Sequence, residues 1–135
     1  MTTSTLPMLE TYPQAISLDR IQLAATIDIL DDCAEACTAC ADACLSEPDV
    51  ADLTKCIRTN LDCADVCGTT ARVLSRHTGY DASISRAMLQ ACVISCASCA
   101  DECEMHAEMH EHCGICAEAC RSCEQACRDL LAAMD

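Results

Sequence analysis

The sequence predicts an all-α protein: an antiparallel up-down-up-down four-helix bundle with a cysteine-lined core. Three observations carry this. Sixteen of 135 residues are cysteine, and within four separate segments they recur at steps of 3, 4 or 7. No segment shows the period-two alternation of a strand, while the helix formers Ala, Leu, Glu, Arg, Met and Gln abound. The breaks between segments are short, and short connections imply antiparallel neighbours.

Taken in order, residues 1–13 carry Pro7, Pro13 and a Thr/Ser cluster and read as a flexible lead-in to a single domain over 14–135. The first helix is expected over 18–45, with Leu23, Ile27 and Leu30 continuing as Cys33, Cys37, Cys40 and Cys44. Ser46 to Asp49, with Pro48, breaks it, and Asp49 is placed as N-cap of a helix over 50–77. That helix carries Leu53, Cys56, Asn60, Cys63, Cys67 and Leu74, and Gly79 closes it. Asp81 or Ser83 opens a helix over 82–106, with Met88, Cys92, Cys96, Cys99 and Cys103. After a polar Met/His/Glu corner, a helix over 111–133 carries Cys113, Cys116, Cys120, Cys123, Cys127, Leu130 and, just beyond it, Met134. Segments 33–44 and 92–103 nearly repeat each other, which suggests a duplicated hairpin.

Composition sharpens the picture. Leu, Ile and Val number only 24, Phe and Trp are absent, and the formal charge is −14. Those values border on the disordered range. Cysteine, however, packs as a small buried apolar side chain. Counting it, the chain is 52% hydrophobic, so the core must be largely sulfur. An aromatic pocket, a base-stacking platform and a basic DNA-binding face are excluded, so no nucleic-acid partner is expected. The N-terminal residues hold no basic run followed by an apolar stretch, and no stretch reaches the ~18–20 apolar residues of a bilayer span. A cytoplasmic protein with reduced thiols and no membrane partner is the expectation, and sixteen such thiols point to metal or redox chemistry.

At ~100° per residue, the observed intervals hold each helix's thiols within a stripe of roughly 60–80°. Four such stripes facing one axis make a continuous thiol-lined channel, with Asn60 filling the missing step of the second. Cysteines used only as core filler would bury less than Leu or Ile. Thiolates select Cu(I), zinc or iron–sulfur clusters. Sixteen thiolates carry −16; four zinc ions return +8 and leave −8, whereas one Cu(I) per thiolate neutralises the core. Uncompensated buried charge costs several kcal/mol per ion, which favours Cu(I).

On the Cys-x3-Cys-x2-Cys-x3-Cys stripes, residues 30–132 resemble the bacterial copper storage proteins, and specifically their cytosolic branch. The resemblance implies multinuclear Cu(I)–thiolate binding by all sixteen cysteines, often in a homotetramer, with uptake at one polar end. A copper chaperone or a low-molecular-weight thiol carrier would deliver the metal. The alternatives are a zinc or iron–sulfur structural or regulatory module, or a thiol redox buffer.

The 44–56 and 103–113 corners share one end. There His106 and His110 continue the stripe beyond Cys103, with Met109 beside them and Asn60 contributing to the same polar region; this ring is expected to capture metal and pass it inward. His112 reads as part of a solvated turn. The other end gathers Leu23, Ile27, Leu30, Leu74, Met88, Leu89, Leu130 and Leu131 into an apolar plug. His77 falls there too, near a helix C-terminus where a cation is favoured, with no metal role. No Glu-x-x-His pair, catalytic triad or phosphate loop occurs, and the Cys-x-x-Cys pairs lie inside helices; no enzyme is expected.

Overall fold

The computed structural model describes residues 3–135, and among them there are five α-helices and no strand. A short helix, α1 (Thr5–Glu10), precedes four long ones: α2 (Arg20–Leu45), α3 (Thr54–Leu74), α4 (Ala82–Glu104) and α5 (Glu111–Met134). Helix α2 packs on α3 and α5, and so does α4, while α2 and α4 stand diagonally across the bundle. Each helix therefore runs antiparallel to its two neighbours around one axis.

Local chemistry explains the starts. Asp19 accepts from the backbone N–H groups of Ile21 and Gln22 at 2.8 and 3.0 Å, and Asp81 from that of Ser83 at 2.9 Å. These bonds satisfy donors that the first helical turn leaves unpaired. Ala41, Ala71, Ala100 and Ala117 are buried beside the cysteines. A Cβ on Gly68 would stand 3.8 Å from that of Ala34, so α2 and α3 approach closely without crowding.

Four expectations need correction. Residues 3–13 are not a loose lead-in: α1 lies on α2 with Leu9 buried, and residues 1–2 fall outside the described part. Arg20 anchors this strap by donating to the Leu9 carbonyl at 2.5 Å and the Gln14 carbonyl at 3.0 Å, and Thr5 donates to Asp28 at 2.7 Å. Asp49 stands at the N-cap position of a 3-10 turn, Val50–Leu53, but its side chain makes no capping bond and its carboxylate accepts from His110 Nε2 at 3.0 Å instead; α3 starts only at Thr54. Gly79, at φ 62°, lies in the following connection, since α3 already ends at Leu74. Helix α4 stops at Glu104, where bonds from the N–H groups of Met105, His106 and Ala107 to carbonyls three residues back tighten the chain and end the thiol stripe's register.

The two ends of the bundle differ. Leu23, Leu30, Leu74, Leu89 and Leu130 are at most 2% exposed and, with Ile27, seal one end. Met88 is only half-buried, Leu89 taking its place on the inner face. The strap covers this end further: Tyr12 and Tyr80 flank the His77 ring at 5.6 and 6.1 Å. Burial holds His77 below its ordinary pKa, so the cation favoured at a helix end is not favoured here.

Candidate metal centre

The four stripes converge as the helix geometry requires. All sixteen cysteines are buried and none is in a disulfide. Nearest the leucine plug, Cys92 donates to Thr70 Oγ1 at 3.1 Å. Above it Cys67 lies 3.5 Å from Cys96, 3.7 Å from Cys63 and 4.0 Å from Cys123. At mid-column Cys37 stands 3.6 Å from Cys120, 3.7 Å from Cys116 and 3.9 Å from Cys99, and Cys33 stands 3.8 Å from Cys120. Toward the other end come Cys56 with Cys103 at 3.7 Å, and Cys113 with Cys40 at 3.9 Å and Cys44 at 4.0 Å. Cys127 lies buried at the plug end of α5.

These sulfurs form overlapping ligand sets. Cys33, Cys63, Cys67 and Cys96 make one; Cys33, Cys37, Cys63 and Cys120 a second; Cys37, Cys99, Cys116 and Cys120 a third, with all ligand atoms of a set within 4.8 Å of one another. Because Cys33, Cys37, Cys63 and Cys120 each serve two sets, the column suits bridging thiolates. Closed tetrahedral sites would need four ligands apiece.

Proton affinity follows from burial and from who donates to whom. Burial pushes Cys44 up to about 11. Cys92 is pulled down to about 4 by hydrogen bonds from Cys127 and Cys67. Hydrogen bonds from Cys103 and Cys116 lower Cys40, whereas Cys103, itself the donor toward Cys116, is raised. A metal entering the column must displace most thiol protons as it binds.

At the polar end, His112, expected in a solvated turn, is the imidazole that touches sulfur. His112 presents Nδ1 to Cys40 at 3.4 Å and to Cys113 at 3.7 Å, while Nε2 meets Glu47 at 2.8 Å. Burial pulls its pKa down, but the bonds to Cys40 and Glu47 outweigh this and leave it raised. With Cys40, Cys44 and Cys113 it forms a fourth ligand set. Its distance of four residues from Cys116, one helical turn on the same stripe, is the signal that finds it.

The expected ring is arranged differently. His110 stacks on His112 at 5.6 Å but turns Nδ1 to Glu47 at 2.9 Å and Nε2 to Asp49 at 3.0 Å. His106 Nε2 faces Glu102 at 3.1 Å, and Lys55 reaches the same carboxylate at 3.7 Å. Both histidines thus stand outside the thiols, held by carboxylates. Met109 is 77% exposed and faces outward, because the tight turns after Glu104 take it off the stripe; it does not line the mouth. Asn60 is fully buried inside the column and not at the rim. Its Oδ1 accepts from Cys99, Cys116 and Cys103 at 3.0, 3.2 and 3.4 Å, and its Nδ2 donates to Cys56 at 3.8 Å.

Comparison with known proteins agrees with this geometry. Residues 19–132 match the family described as "Copper storage protein". The copper storage protein Ccsp from Streptomyces lividans, solved with 10 copper equivalents, is 65% identical, with TM-score 0.94 over 96% of this chain and 98% of that one. A cytosolic copper storage protein from the same organism, solved with five coppers, is 70% identical, with TM-score 0.82 over 83% and 93%. An uncharacterized cysteine-rich protein of Bacillus subtilis (strain 168), YhjQ, is 33% identical over 108 residues, 80% of this chain and 94% of that protein.

Proposed function

The chain belongs to the copper storage protein family, and from that premise we propose that it is a cytosolic store holding many Cu(I) ions on the sixteen thiols of its core. The observation that carries the reading is the continuous column of free cysteines in overlapping sets. Copper is the cargo, and the bundle wall is its ligand. Each incoming ion exchanges for about one thiol proton, so filling leaves the core near neutral and couples uptake to pH.

Uptake runs through the polar end. His112, Cys40, Cys44 and Cys113 are the first ligands an arriving ion meets, with His106 and His110 as an outer pair held ready by Glu102, Glu47 and Asp49. Within the column, Asn60 offers an oxygen to the thiols around it. Delivery from a copper chaperone or a small thiol carrier suits an ion that thiolates bind so strongly. We assign it no enzymatic activity, in keeping with the storage family it belongs to. Helix α4 is long and apolar enough in composition to span a bilayer, but Leu89 and its cysteines are buried in the bundle, so we assign no membrane role. Exposed Ile84 and Ile94 on the outer side of α4 support assembly of copies, with a homotetramer as the proposed form.

The test is an anaerobic Cu(I) titration against a competing chelator. Uptake of about sixteen ions per chain, one per thiol, is expected. Saturation at only one to four would sink the storage reading and favour the mouth set of three cysteines and His112 as a single zinc-type site.

A further inference from the structure

We propose that the outer face of the polar end is a docking surface for a basic-faced protein that carries Cu(I) on paired thiols; this rests on the storage reading above. Two connections build the face. The chain between α2 and α3 brings Glu47, Asp49 and Asp52, and the chain from α4 into α5 brings Glu108 and Glu111; the one basic side chain near them, Lys55 at the start of α3, is paired with Glu102 at 3.7 Å. Glu47 and Asp49 are engaged by histidines, while Asp52, Glu108 and Glu111 make no ion pair among the described residues. The connection at the leucine end, by contrast, contains Arg76.

Beside these carboxylates stand apolar side chains that the bundle does not use. Met105 is 75% exposed, Met109 77% and Leu45 59%. Unbranched thioethers adapt to the shape of whatever covers them and recur on recognition surfaces. An acidic rim with a pliable apolar centre complements a partner whose apolar thiol site is ringed by lysines. The same rim repels a second copy of this chain, whose net charge is −14, and gives no attraction to a glutathione complex bearing carboxylates.

Docking brings the carrier's metal to the mouth. Cu(I) keeps its oxidation state: its bonds to the carrier's two thiolates break as bonds to Cys113 and Cys40 form. The protons displaced from those thiols pass to the carrier's thiolates.

The experiment is anaerobic stopped-flow transfer from two donors, a Cu(I)-loaded two-cysteine carrier with a lysine-rich face and Cu(I)–glutathione. Wild type is compared with Asp52→Lys/Glu108→Lys and with Met105→Ser. At low salt the charge reversal should slow transfer from the basic carrier by about tenfold, an effect that fades as salt screens it. Met105→Ser should slow it at any salt, and neither variant should slow uptake from Cu(I)–glutathione. Equal rates for all variants with the basic carrier, or equal slowing with both donors, overturn the docking proposal while full uptake leaves the storage reading standing. Loss of self-association in Met105→Ser, read by sedimentation, would show a self-interface and also overturn it. No uptake from either donor would remove the storage reading itself, and docking with it.

Discussion

Replacing Leu89 by alanine separates what holds this bundle together from what it holds. Leu89 is fully buried at the plug with Leu23, Leu30, Leu74 and Leu130. The change removes three carbons, about 2.4 kcal/mol at ~0.8 kcal/mol per buried CH2, and leaves a cavity, so about 3 kcal/mol is expected. At roughly 4 °C per kcal/mol for a domain of this size, the melting temperature should fall by about 12 °C. Cys96→Ala, in contrast, takes one sulfur from a column where Cys96 touches Cys63 at 3.8 Å and Cys67 at 3.5 Å. Its cost to the metal-free protein is about 1 kcal/mol. Loading adds metal binding on top of folding, and contributions from separate sites add. Leu89→Ala should therefore lower the metal-free and copper-loaded proteins by equal free energies, whereas Cys96→Ala should cost more in the loaded form. Chemical denaturation followed by far-UV circular dichroism, with and without copper, measures both. A Leu89→Ala cost below about 1 kcal/mol in the metal-free protein would refute the assignment of its stability to the plug.

Three further outcomes are expected. His112→Phe removes the imidazole that, alone among the described residues, contacts a thiol, so the earliest phase of Cu(I) uptake should slow while final capacity changes by at most about one ion; an unaltered early phase on rapid mixing would count against the mouth assignment. Asn60→Leu strips the acceptor from three buried S–H groups and should cost ~1–3 kcal/mol in denaturation of the metal-free protein; a neutral result would show the thiols rearranging freely. Because His77 has its pKa lowered on folding, the unfolded chain takes up its proton first. Stability should then drop as pH falls below about 6.5 toward the folded pKa, and His77→Phe should flatten that drop, whereas parallel pH profiles would disprove it.

What could be read in the sequence was what repeats. The cysteine intervals fix which face of each helix turns inward, and all sixteen sulfurs lie on those faces because nothing competes for them. The residues outside that period were harder. Asp49 had the type and position of a helix cap, but His110, sixty-one residues away, claims its carboxylate. Met109 and His110 were expected on an extended helical register that the tight turns after Glu104 abolish. Helix α1 is too short to be stable alone; it exists because Leu9 and Arg20 tie it to α2, a tertiary effect without local signature.

The plug of leucines has a consequence for traffic. On the proposed uptake route through the polar end, a column stopped at the leucine end would fill and empty as a last-in, first-out stack. The deepest ions, beside Cys92 and Cys127, would have every later arrival between them and the exit. Withdrawal would then begin promptly at the mouth and become slower with depth, and a pulse of labelled copper given first would be the last to emerge. For a cell, such a molecule would hold a shallow store that turns over and a deep one that outlasts it.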